Sequence, residues 1–426
     1  MIQRAAIDNR RIEPGDLFIP IRGERFDGHQ FIEAALQAGA AAFVADHPVS
    51  TSAPWIQVDD TVAALQAAAR VHRDAMGPLT TAVTGSAGKT TTKEMIYAVF
   101  SRRFRTICTS GNLNNQTGVP LTLFTIRPDT QAAVVEMGMN HVGEIDRIAA
   151  AASPDIGVIT NIGTAHIEYL GSRQNILAAK CEMLRHVRDG GRVFVNGDDD
   201  LLREAARTEK LSTYGIEAGN ALRAVNIQER GLYGTDLTVT DGTLRFAVHI
   251  PAPGRYMVYA ALAAAACGLE AGLSPDEISE GIASYRPAGS RMRVVHKGIT
   301  ILDDTYNANA PAMKAALDVL ALADGPKVAV LGEMRELGEA SAELHREVVS
   351  YAASLPVRLI LTVGAGYDSR MQTDDSRILW FPTQEQLLEQ IDALVRPGDT
   401  ILVKASRGMH MEDTVQHLER SGVAQI

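Results

Sequence analysis

A glycine-rich loop at residues 84–91 reads Thr-Gly-Ser-Ala-Gly-Lys-Thr-Thr. An apolar run at residues 81–83 precedes the loop, and a helical pattern begins at Lys89. A strand, a glycine-rich turn and a helix in this order predict a phosphate-binding loop, in which backbone N–H groups and the helix N-terminus hold phosphate oxygens. Lys89 would reach the β- and γ-phosphates, and the Thr90 hydroxyl would coordinate Mg²⁺.

The general Walker pattern asks for glycine at position 83, and this chain has Val83 instead. A plain glycine-rich turn before an amphipathic helix is therefore the alternative. A lysine and two threonines directly after the second glycine favour the nucleotide site, because packing alone does not explain them. The residues predicted to bind ATP here are Gly85, Ser86, Ala87, Gly88, Lys89, Thr90 and Thr91.

Apolar runs of strand length alternate with helical patterns along most of the chain, which predicts an α/β fold. In the middle of the chain this alternation favours a mostly parallel sheet with helices on both faces, and the segment 222–250 alternates around the turn 240–243 like an antiparallel hairpin. The carboxy-terminal part predicts a doubly wound, Rossmann-like domain. The predicted strands are 80–83, 132–137, 156–160 and 192–195 in the middle, and 300–302, 327–331, 359–363 and 400–403 in the last part.

The first part of the chain predicts a small α/β domain with strands at 17–21, 42–45 and 55–58 and helices at 31–38 and 62–74. The second helix runs into Met76-Gly77-Pro78, where a Gly-Pro step ends a helix and marks a domain boundary. A second break lies at residues 287–289. Three domains are expected: 1–77, 78–287 and 288–426.

Charge and cysteine content exclude several classes of function. The chain has 41 basic and 51 acidic residues, so its net charge of −10 offers no global positive field for a nucleic acid. Its three cysteines are widely spaced without a CxxC pair, as expected of a cytoplasmic protein without disulfides. The longest apolar run is far too short to cross a membrane, and no targeting segment is visible.

Six further segments follow one another over nearly the whole chain: IDNRRIEPGDLFIPIRGERFDGHQF at 7–31, GNLNNQTGVP at 111–120, EMGMNHVGEI at 136–145, DDTYNANAPAM at 303–313, LGEMRELG at 331–338 and LVKASRGMHM at 402–411. In order and spacing they resemble the Mur ligase superfamily, whose phosphate loop also lacks the first Walker glycine.

The resemblance implies a cytoplasmic, ADP-forming peptide ligase of peptidoglycan precursor synthesis. Its three domains would bind a UDP substrate, ATP and the incoming amino compound, in that order. The segments are most similar to the branch that adds D-Ala-D-Ala to UDP-MurNAc-tripeptide through an acyl phosphate. Members of the family are usually monomers, so the resemblance implies a monomer.

A metal centre is expected beside the phosphate loop. Glu136 ends an apolar strand, which puts a carboxylate at the carboxyl edge of the sheet where a Mg²⁺ ligand belongs, although a solvated acid is the alternative. The resemblance implies that His166 holds a second Mg²⁺. It also implies that Lys180 is carbamylated by CO₂ and bridges the metals, whereas its neighbours alone favour a surface lysine. Lys89, His166 and Lys180 are the predicted catalytic residues.

The carboxy-terminal domain is expected to contribute to the ATP site. Asp304, Tyr306, Asn307 and Asn309 follow a predicted strand and resemble family residues that touch the nucleotide. Either Arg291 or Arg293 would reach the γ-phosphate, and the spacing does not choose between them.

Two further groups of residues are predicted to bind substrate. Asn112, Asn114 and Asn115 offer uncharged donors and acceptors, or form a plain turn. Lys404, Ser406 and Arg407 follow a predicted strand and could hold the dipeptide carboxylate, or form a solvated helix entrance. Asn9 and Arg10 fall in the predicted uridine pocket.

The sequence departs from the family at two positions. Asn9 replaces a serine or threonine that can bond uracil, and Ala260 replaces an asparagine that contacts adenine. The alternatives to the D-Ala-D-Ala ligase are a Mur-type paralogue with another amino acid or acceptor, a P-loop switch or transporter subunit, and a non-catalytic paralogue. The lack of a clear Walker B pattern, together with Lys180 and His166, argues against the switch or transporter. The presence of Lys89, Glu136, His166 and Lys180 together argues against the non-catalytic paralogue.

Overall fold

The structure is a computed structural model, and it describes residues 4–23, 26–165, 167–209, 211–367 and 375–421. The chain divides into two compact units. The first comprises Met1–Leu222 with Ala263–Ile278, and the second comprises Arg223–Leu262 with Ser279–Ile426. The α/β class predicted from the sequence is confirmed, because all three sheets are mostly parallel and helices alternate with their strands.

The first sheet has four parallel strands in the order β1-β2-β3-β4. Strand β3 lies in its middle, and its four residues are all buried. Phe18, Ile32, Ala35 and Phe43 form the small core beneath the sheet. The elements are β1 Ala5–Ala6, β2 Leu17–Phe18, α1 Ile32–Gln37, β3 Ala42–Ala45, β4 Trp55–Gln57 and α2 Thr61–Met76.

Both ends of helix α2 are set by identifiable residues. The Asp60 carboxylate accepts hydrogen bonds from the N–H groups of Val62 (2.7 Å) and Ala63 (3.0 Å), and Gly77 ends the helix in the left-handed region at φ 64°. Its buried Arg73 donates to Asp155 at 2.9 Å and to Thr80 at 3.1 Å. These bonds join the helix to the second sheet.

The second sheet contains six parallel strands in the order β6-β7-β5-β8-β9-β10. Strand β5 has strands added on both sides, so the connections after it leave in opposite directions and open a crevice at its carboxyl end. The elements are β5 Leu79–Thr84, α3 Lys89–Phe100, β6 Thr106–Cys108, α4 Gly118–Leu123, β7 Ala132–Glu136, α5 Glu144–Ala152, β8 Ile156–Ile159, α6 Ile167–Leu170, α7 Arg173–Cys181, β9 Arg192–Asn196, α8 Asp200–Thr208 and β10 Ser212–Gly215.

Three antiparallel strands follow, so the predicted hairpin has one strand more than expected. The turn at 240–243 is confirmed. The Asp241 carboxylate accepts from the N–H groups of Thr243 (2.8 Å) and Leu244 (2.7 Å), which closes it. The elements are β11 Leu222–Glu229, β12 Thr235–Thr240, β13 Arg245–Ile250, α9 Met257–Glu270 and α10 Pro275–Ala283.

The last sheet has the order β14-β15-β19-β16-β17-β18, with only β14 antiparallel. Separate hydrophobic cores lie on its two faces, which confirms the doubly wound arrangement. The elements are β14 Arg293–Lys297, β15 Ile299–Asp304, α11 Ala310–Ala321, β16 Lys327–Gly332, α12 Ser341–Ser354, β17 Leu359–Val363, β18 Ile378–Phe381, α13 Gln384–Leu388, α14 Ile391–Leu394, β19 Thr400–Lys404 and α15 Glu412–Arg420.

Among the helices in the described ranges, none combines the length and apolar character that a bilayer crossing requires.

Candidate active site

The glycine-rich loop lies between β5 and α3, at the carboxyl end of an inner strand of the sheet. Gly88 caps the helix in the left-handed region at φ 77°, so Lys89, Thr90 and Thr91 form its first turn. Gly85 has φ 149°, and a Cβ atom there would lie 1.9 Å from the Thr160 hydroxyl oxygen. The first glycine is therefore required by close packing as well as by backbone conformation.

The loop is held in place by the residues that follow β8. The Thr160 hydroxyl donates to the Ala87 carbonyl at 2.6 Å, and the Asn161 side chain accepts from the Ala87 N–H at 2.9 Å. The Ser86 N–H donates to the Asn161 carbonyl at 3.0 Å. These bonds fix the loop conformation before any ligand arrives.

Lys89 folds back over the loop, and its ammonium donates to the carbonyls of Gly85 at 2.7 Å and Ser86 at 3.4 Å. A cation held against backbone carbonyls at a helix N-terminus makes the loop a place for an anion. The Ser86 hydroxyl oxygen is buried, and within the described ranges it has no hydrogen-bond partner.

Glu136, the last residue of β7, lies next to the loop as predicted. Its side chain is only 2% exposed, and its two oxygens accept from the Thr90 hydroxyl and the Asn114 amide, each at 2.8 Å. Its N–H donates to the Thr109 hydroxyl at 2.9 Å. Thr90 and Glu136 therefore bring together hard oxygens of the type that Mg²⁺ prefers, while the Asn114 amide N–H holds the second Glu136 oxygen.

Lys180 lies near the end of α7 and is 2% exposed, so it is not the snorkelling surface lysine that its neighbours favoured. Burial lowers the pKa of its ammonium well below the usual value, and the positive charge of Lys89 lowers the pKa further. Within the described residues its ammonium has no hydrogen bond or ion pair. A buried lysine of this kind is unfavourable as a cation and reactive as a neutral amine.

The other residues predicted to lie near this site do not all do so. His166 lies outside the described residues. Asn115 closes the turn before α4, because its side-chain oxygen accepts from the N–H groups of Thr117 and Gly118 at 3.3 and 2.8 Å, while Asn112 is exposed. Of the three asparagines, Asn114 is the one in contact with Glu136.

Asn9 and Arg10 lie in a short 3₁₀ turn at the start of the described chain. Arg10 is exposed and pairs with Asp8 at 2.8 Å, and its hydrogen bonds lower the pKa of the Asp8 carboxyl to about 2. Asn9 is partly exposed.

The second unit collects the other predicted residues at the carboxyl ends of β15 and β19. The Lys404 ammonium is buried and donates to the Asp304 carboxylate at 2.6 Å and to the Asn307 carbonyl at 2.8 Å. Ser406 is also buried, and its hydroxyl oxygen accepts from the Arg335 N–H at 2.9 Å. Asn309 caps α11 by accepting from the Ala312 N–H at 2.9 Å.

The two arginines considered for the γ-phosphate, Arg291 and Arg293, have different partners. The Arg291 guanidinium lies over the Tyr306 ring at 3.5 Å from the ring centroid, and the exposed Arg407 lies at 5.5 Å. Arg293 instead pairs with Asp303 at 3.1 Å and Glu419 at 2.9 Å. Arg291 is therefore the better candidate for a ligand contact. Ala260, at the predicted adenine position, is buried within α9.

Sequence reasoning missed Thr109, Thr160, Asn161 and His345. The first three follow strands at the carboxyl edge of the second sheet, so their positions could have been considered. His345 accepts from the Met334 N–H at 3.0 Å and contacts the Ser341 carbonyl at 2.7 Å. It thereby fixes the segment 332–341, and no pattern in the sequence indicates that role.

Comparison with known families gives three matches that together cover most of the chain. They are the Mur ligase family catalytic domain at residues 2–95, the Mur ligase middle domain at residues 83–268, and the Mur ligase glutamate ligase domain at residues 290–407.

Similar proteins span nearly the whole chain. The UDP-N-acetylmuramoyl-tripeptide–D-alanyl-D-alanine ligase of Bacillus subtilis is 36% identical, over 99% of this chain and 94% of the relative. The enzyme of that name from Escherichia coli is 34% identical, over 97% and 93%. The crystal structure of MurF from Acinetobacter baumannii has a TM-score of 0.92 with 34% identity, covering 99% of this chain and 94% of that one. MurF from Thermotoga maritima in complex with ADP has a TM-score of 0.88 with 28% identity, covering 98% and 97%.

Proposed function

The chain belongs to the Mur ligase family, and we propose that it is the member that joins D-alanyl-D-alanine to UDP-N-acetylmuramoyl-tripeptide, converting ATP to ADP and phosphate. The observation that carries this function is the end-to-end identity of 36% with a relative of that name. The site around Lys89, Glu136 and Lys180 supports it, since it joins an anion-binding loop to buried side chains that we propose as metal ligands.

The reaction must turn a carboxylate into an amide. A carboxylate oxygen of the tripeptide takes the γ-phosphoryl group of ATP, which gives an acyl phosphate and ADP. The free amine of the dipeptide then attacks the acyl carbon, loses a proton, and expels phosphate as the C–O bond breaks. Lys89 stabilises the charge on the transferring phosphoryl group, and the loop N–H groups hold its oxygens in line.

The residues present fit a magnesium ion. Thr90 and Glu136 would hold it, because their hard oxygens already meet at 2.8 Å beside the loop. When bound, Mg²⁺ supplies positive charge that offsets the charge on the phosphate oxygens. In addition, Asn114 holds the other oxygen of Glu136 and so orients the carboxylate. We propose His166 as a further metal ligand on the resemblance alone.

Lys180 fits the proposed carbamate on physical grounds. Its neutral amine can attack CO₂, forming an N–C bond and releasing one proton, which gives an anionic carbamate in place of a buried ammonium. The product removes an unpaired buried cation, and it adds two oxygens suited to Mg²⁺.

The remaining residues are proposed to bind substrates. Arg291, Arg407 and Tyr306 supply two cations and an aromatic face for the phosphates of ATP or the dipeptide carboxylate. Lys404 positions Asp304 and the Asn307 backbone. Asn112, Ser406 and Asn309 remain proposed contacts.

The domain roles follow the family order. We propose that residues 1–77 bind the UDP part through Asn9 and Arg10, that residues 78–287 bind ATP, and that residues 288–426 bind the dipeptide. A cytoplasmic monomer is proposed, in keeping with three free cysteines and a cytoplasmic nucleotide-linked substrate.

The test is an assay of ADP release with ATP, UDP-MurNAc-tripeptide and D-Ala-D-Ala. ADP should form only when both the acceptor and the dipeptide are present, and mass spectrometry should detect the pentapeptide product. Equal ADP release without the acceptor would refute the ligase function.

The same assay separates the runner-up, a Mur-type ligase for another amino acid. Single D-alanine, L-lysine and D-glutamate replace the dipeptide in parallel reactions. Faster turnover with one of these amino acids would assign the chain to another branch.

A further inference from the structure

Outside the ATP site, two histidines and an aspartate of the first sheet converge. His29 lies in the turn Gly28–Phe31, and Asp46 and His47 directly follow β3. One ligand atom from each of these side chains lies within 4.8 Å of the others. Asp46 Oδ1 is 2.6 Å from His47 Nδ1 and 3.4 Å from His29 Nε2.

The orientation of His29 is fixed by Asp27. The Asp27 carboxylate lies 2.6 Å from His29 Nδ1 and accepts from the His29 N–H at 3.0 Å. His29 is 6% exposed, so its ring cannot turn freely. With Nδ1 engaged by a carboxylate, the Nε2 lone pair faces Asp46 and accepts from its N–H at 3.4 Å, a long hydrogen bond that a metal ion would replace. A carboxylate behind a histidine is the usual outer partner of a metal-bound imidazole.

We propose that His29, Asp46 and His47 form a binding site for a transition-metal dication of the Zn²⁺ class. Two imidazoles and one carboxylate match the ligands that Zn²⁺ takes, with a fourth position left for water. The site is distinct in chemistry from the ATP site, whose donors are oxygens suited to Mg²⁺.

Closure of the site needs only a small movement. In a tetrahedral zinc site with bonds of 2.0–2.1 Å the ligand atoms lie roughly 3.3 Å apart. The widest separation must therefore shrink, and the 2.6 Å between Asp46 Oδ1 and His47 Nδ1 must widen. His47 is 50% exposed and can rotate towards His29, whereas Asp46 is 19% exposed and is already between them. His29, the most buried ligand, does not need to move.

Arg22 is the competing cation. It lies 3.2 Å from Asp46 and 3.1 Å from Asp27, and it is more than half exposed. A dication at Asp46 would displace this guanidinium into solvent, at little cost because exposed ion pairs are weak. Arg22→Ala is therefore expected to strengthen metal binding, which a simple hydrogen-bonded network would not do.

The experiment is titration of the full-length protein with Zn²⁺ by calorimetry, without ATP and with Mg²⁺ in excess to occupy oxygen sites. His47→Ala should weaken the Zn²⁺ affinity by about 100-fold or more, because loss of an outer partner alone costs about 10–100-fold. Asp27→Asn, which keeps the oxygen for the His29 N–H, should weaken it by about 10–100-fold.

His249→Ala is the matched control. His249 is also half exposed and pairs with an aspartate, Asp236, at 2.7 Å, but it does not belong to a three-ligand group among the described residues. The control should bind Zn²⁺ as the unmodified protein does. Equal Zn²⁺ affinity in the unmodified protein and His47→Ala, or no gain in Arg22→Ala, would overturn the proposal.

Discussion

The burial of Lys180 favours a chemical modification of its amine. A lysine that is 2% exposed, with no hydrogen bond or ion pair among the described residues, costs free energy as a cation. Carbamylation would replace that cation by a metal-binding anion. Glu136 complements it, since this acid is equally buried but satisfied by Thr90 and Asn114.

Removal of the Lys180 amine should abolish carbamylation and most of the activity. Lys180→Ala is expected to lower kcat on the order of 10³-fold, a loss of about 4 kcal/mol in transition-state stabilisation. With ¹³C-bicarbonate, NMR should show a carbamate signal in the unmodified protein and in the surface control Lys314→Ala, but not in Lys180→Ala. A carbamate signal of equal size in all three proteins would exclude Lys180 as its origin.

The pH dependence of carbamylation follows from the direction of the pKa shift. Burial lowers the pKa of Lys180, so the neutral amine that reacts with CO₂ exists at lower pH than in a free lysine. As pH falls through this lowered pKa, the ammonium predominates and the carbamate is lost. The bicarbonate concentration that gives half-maximal activity should therefore rise as pH falls, and a constant value would contradict the assignment.

Glu136→Gln tests the magnesium ligand. The substitution keeps the size of the side chain and removes its charge, so kcat should fall on the order of 10²–10³-fold and more Mg²⁺ should be needed. The melting temperature should change little, since an amide can still bond Asn114 or Thr90. Glu94→Gln, on the neighbouring helix, is the control. An unchanged Mg²⁺ requirement in Glu136→Gln would remove Glu136 from the metal site.

At the scale of elements, the strand–loop–helix unit could be predicted because its information is local. The helix begins at Lys89 as predicted, and the left-handed glycine before it follows from the same pattern. The bonds that hold the loop come from Thr160 and Asn161, more than 70 positions away. Such long-range partners have no local signal in the sequence.

The two loop glycines make a matched pair for testing how closely Thr160 packs against the loop. Both have positive φ, but a Cβ atom at Gly85 would collide with Thr160, whereas one at Gly88 would meet nothing within 4 Å. Gly88→Ala should cost about 1–2 kcal/mol of unfolding free energy from backbone strain alone. Gly85→Ala should lower the unfolding free energy by clearly more than Gly88→Ala, as measured by denaturant unfolding. It should also raise the KM for ATP by more, as measured by steady-state kinetics. Equal costs would show that the contact with Thr160 is unimportant.

His345 gives the segment 332–341 a pH-dependent anchor. Burial lowers its pKa, so the folded protein binds fewer protons than the unfolded chain in mild acid. The stability from neutral His345 is therefore fully present above pH of about 6.5 and is lost as pH falls towards the lowered pKa. His345→Gln should be less stable at pH 7 by about 1–3 kcal/mol, with a flatter stability profile between pH 7 and 5. Parallel pH profiles for the two proteins would contradict this role.

For the whole molecule, the sequence predicted the α/β class and most strands of all three sheets. It missed strands such as β6, β10, β14 and β18, which are short or lie at sheet edges, because pairing with a neighbour decides their structure more than their own composition. It also could not show which charged residues are buried. Lys180 and Lys404 have ordinary sequence neighbours, and only the packing around them distinguishes them from surface lysines.

We propose that the loop, Glu136 and Lys180 serve phosphoryl transfer from ATP to a peptide carboxylate, followed by amide formation. The most direct test uses UDP-MurNAc-tripeptide labelled with ¹⁸O in its terminal carboxylate, together with ATP and D-Ala-D-Ala. One ¹⁸O atom should pass to each released phosphate, since the acyl phosphate leaves with the carboxylate oxygen. Release of unlabelled phosphate, with ADP formed at the same rate, would show that water rather than the carboxylate accepts the phosphoryl group.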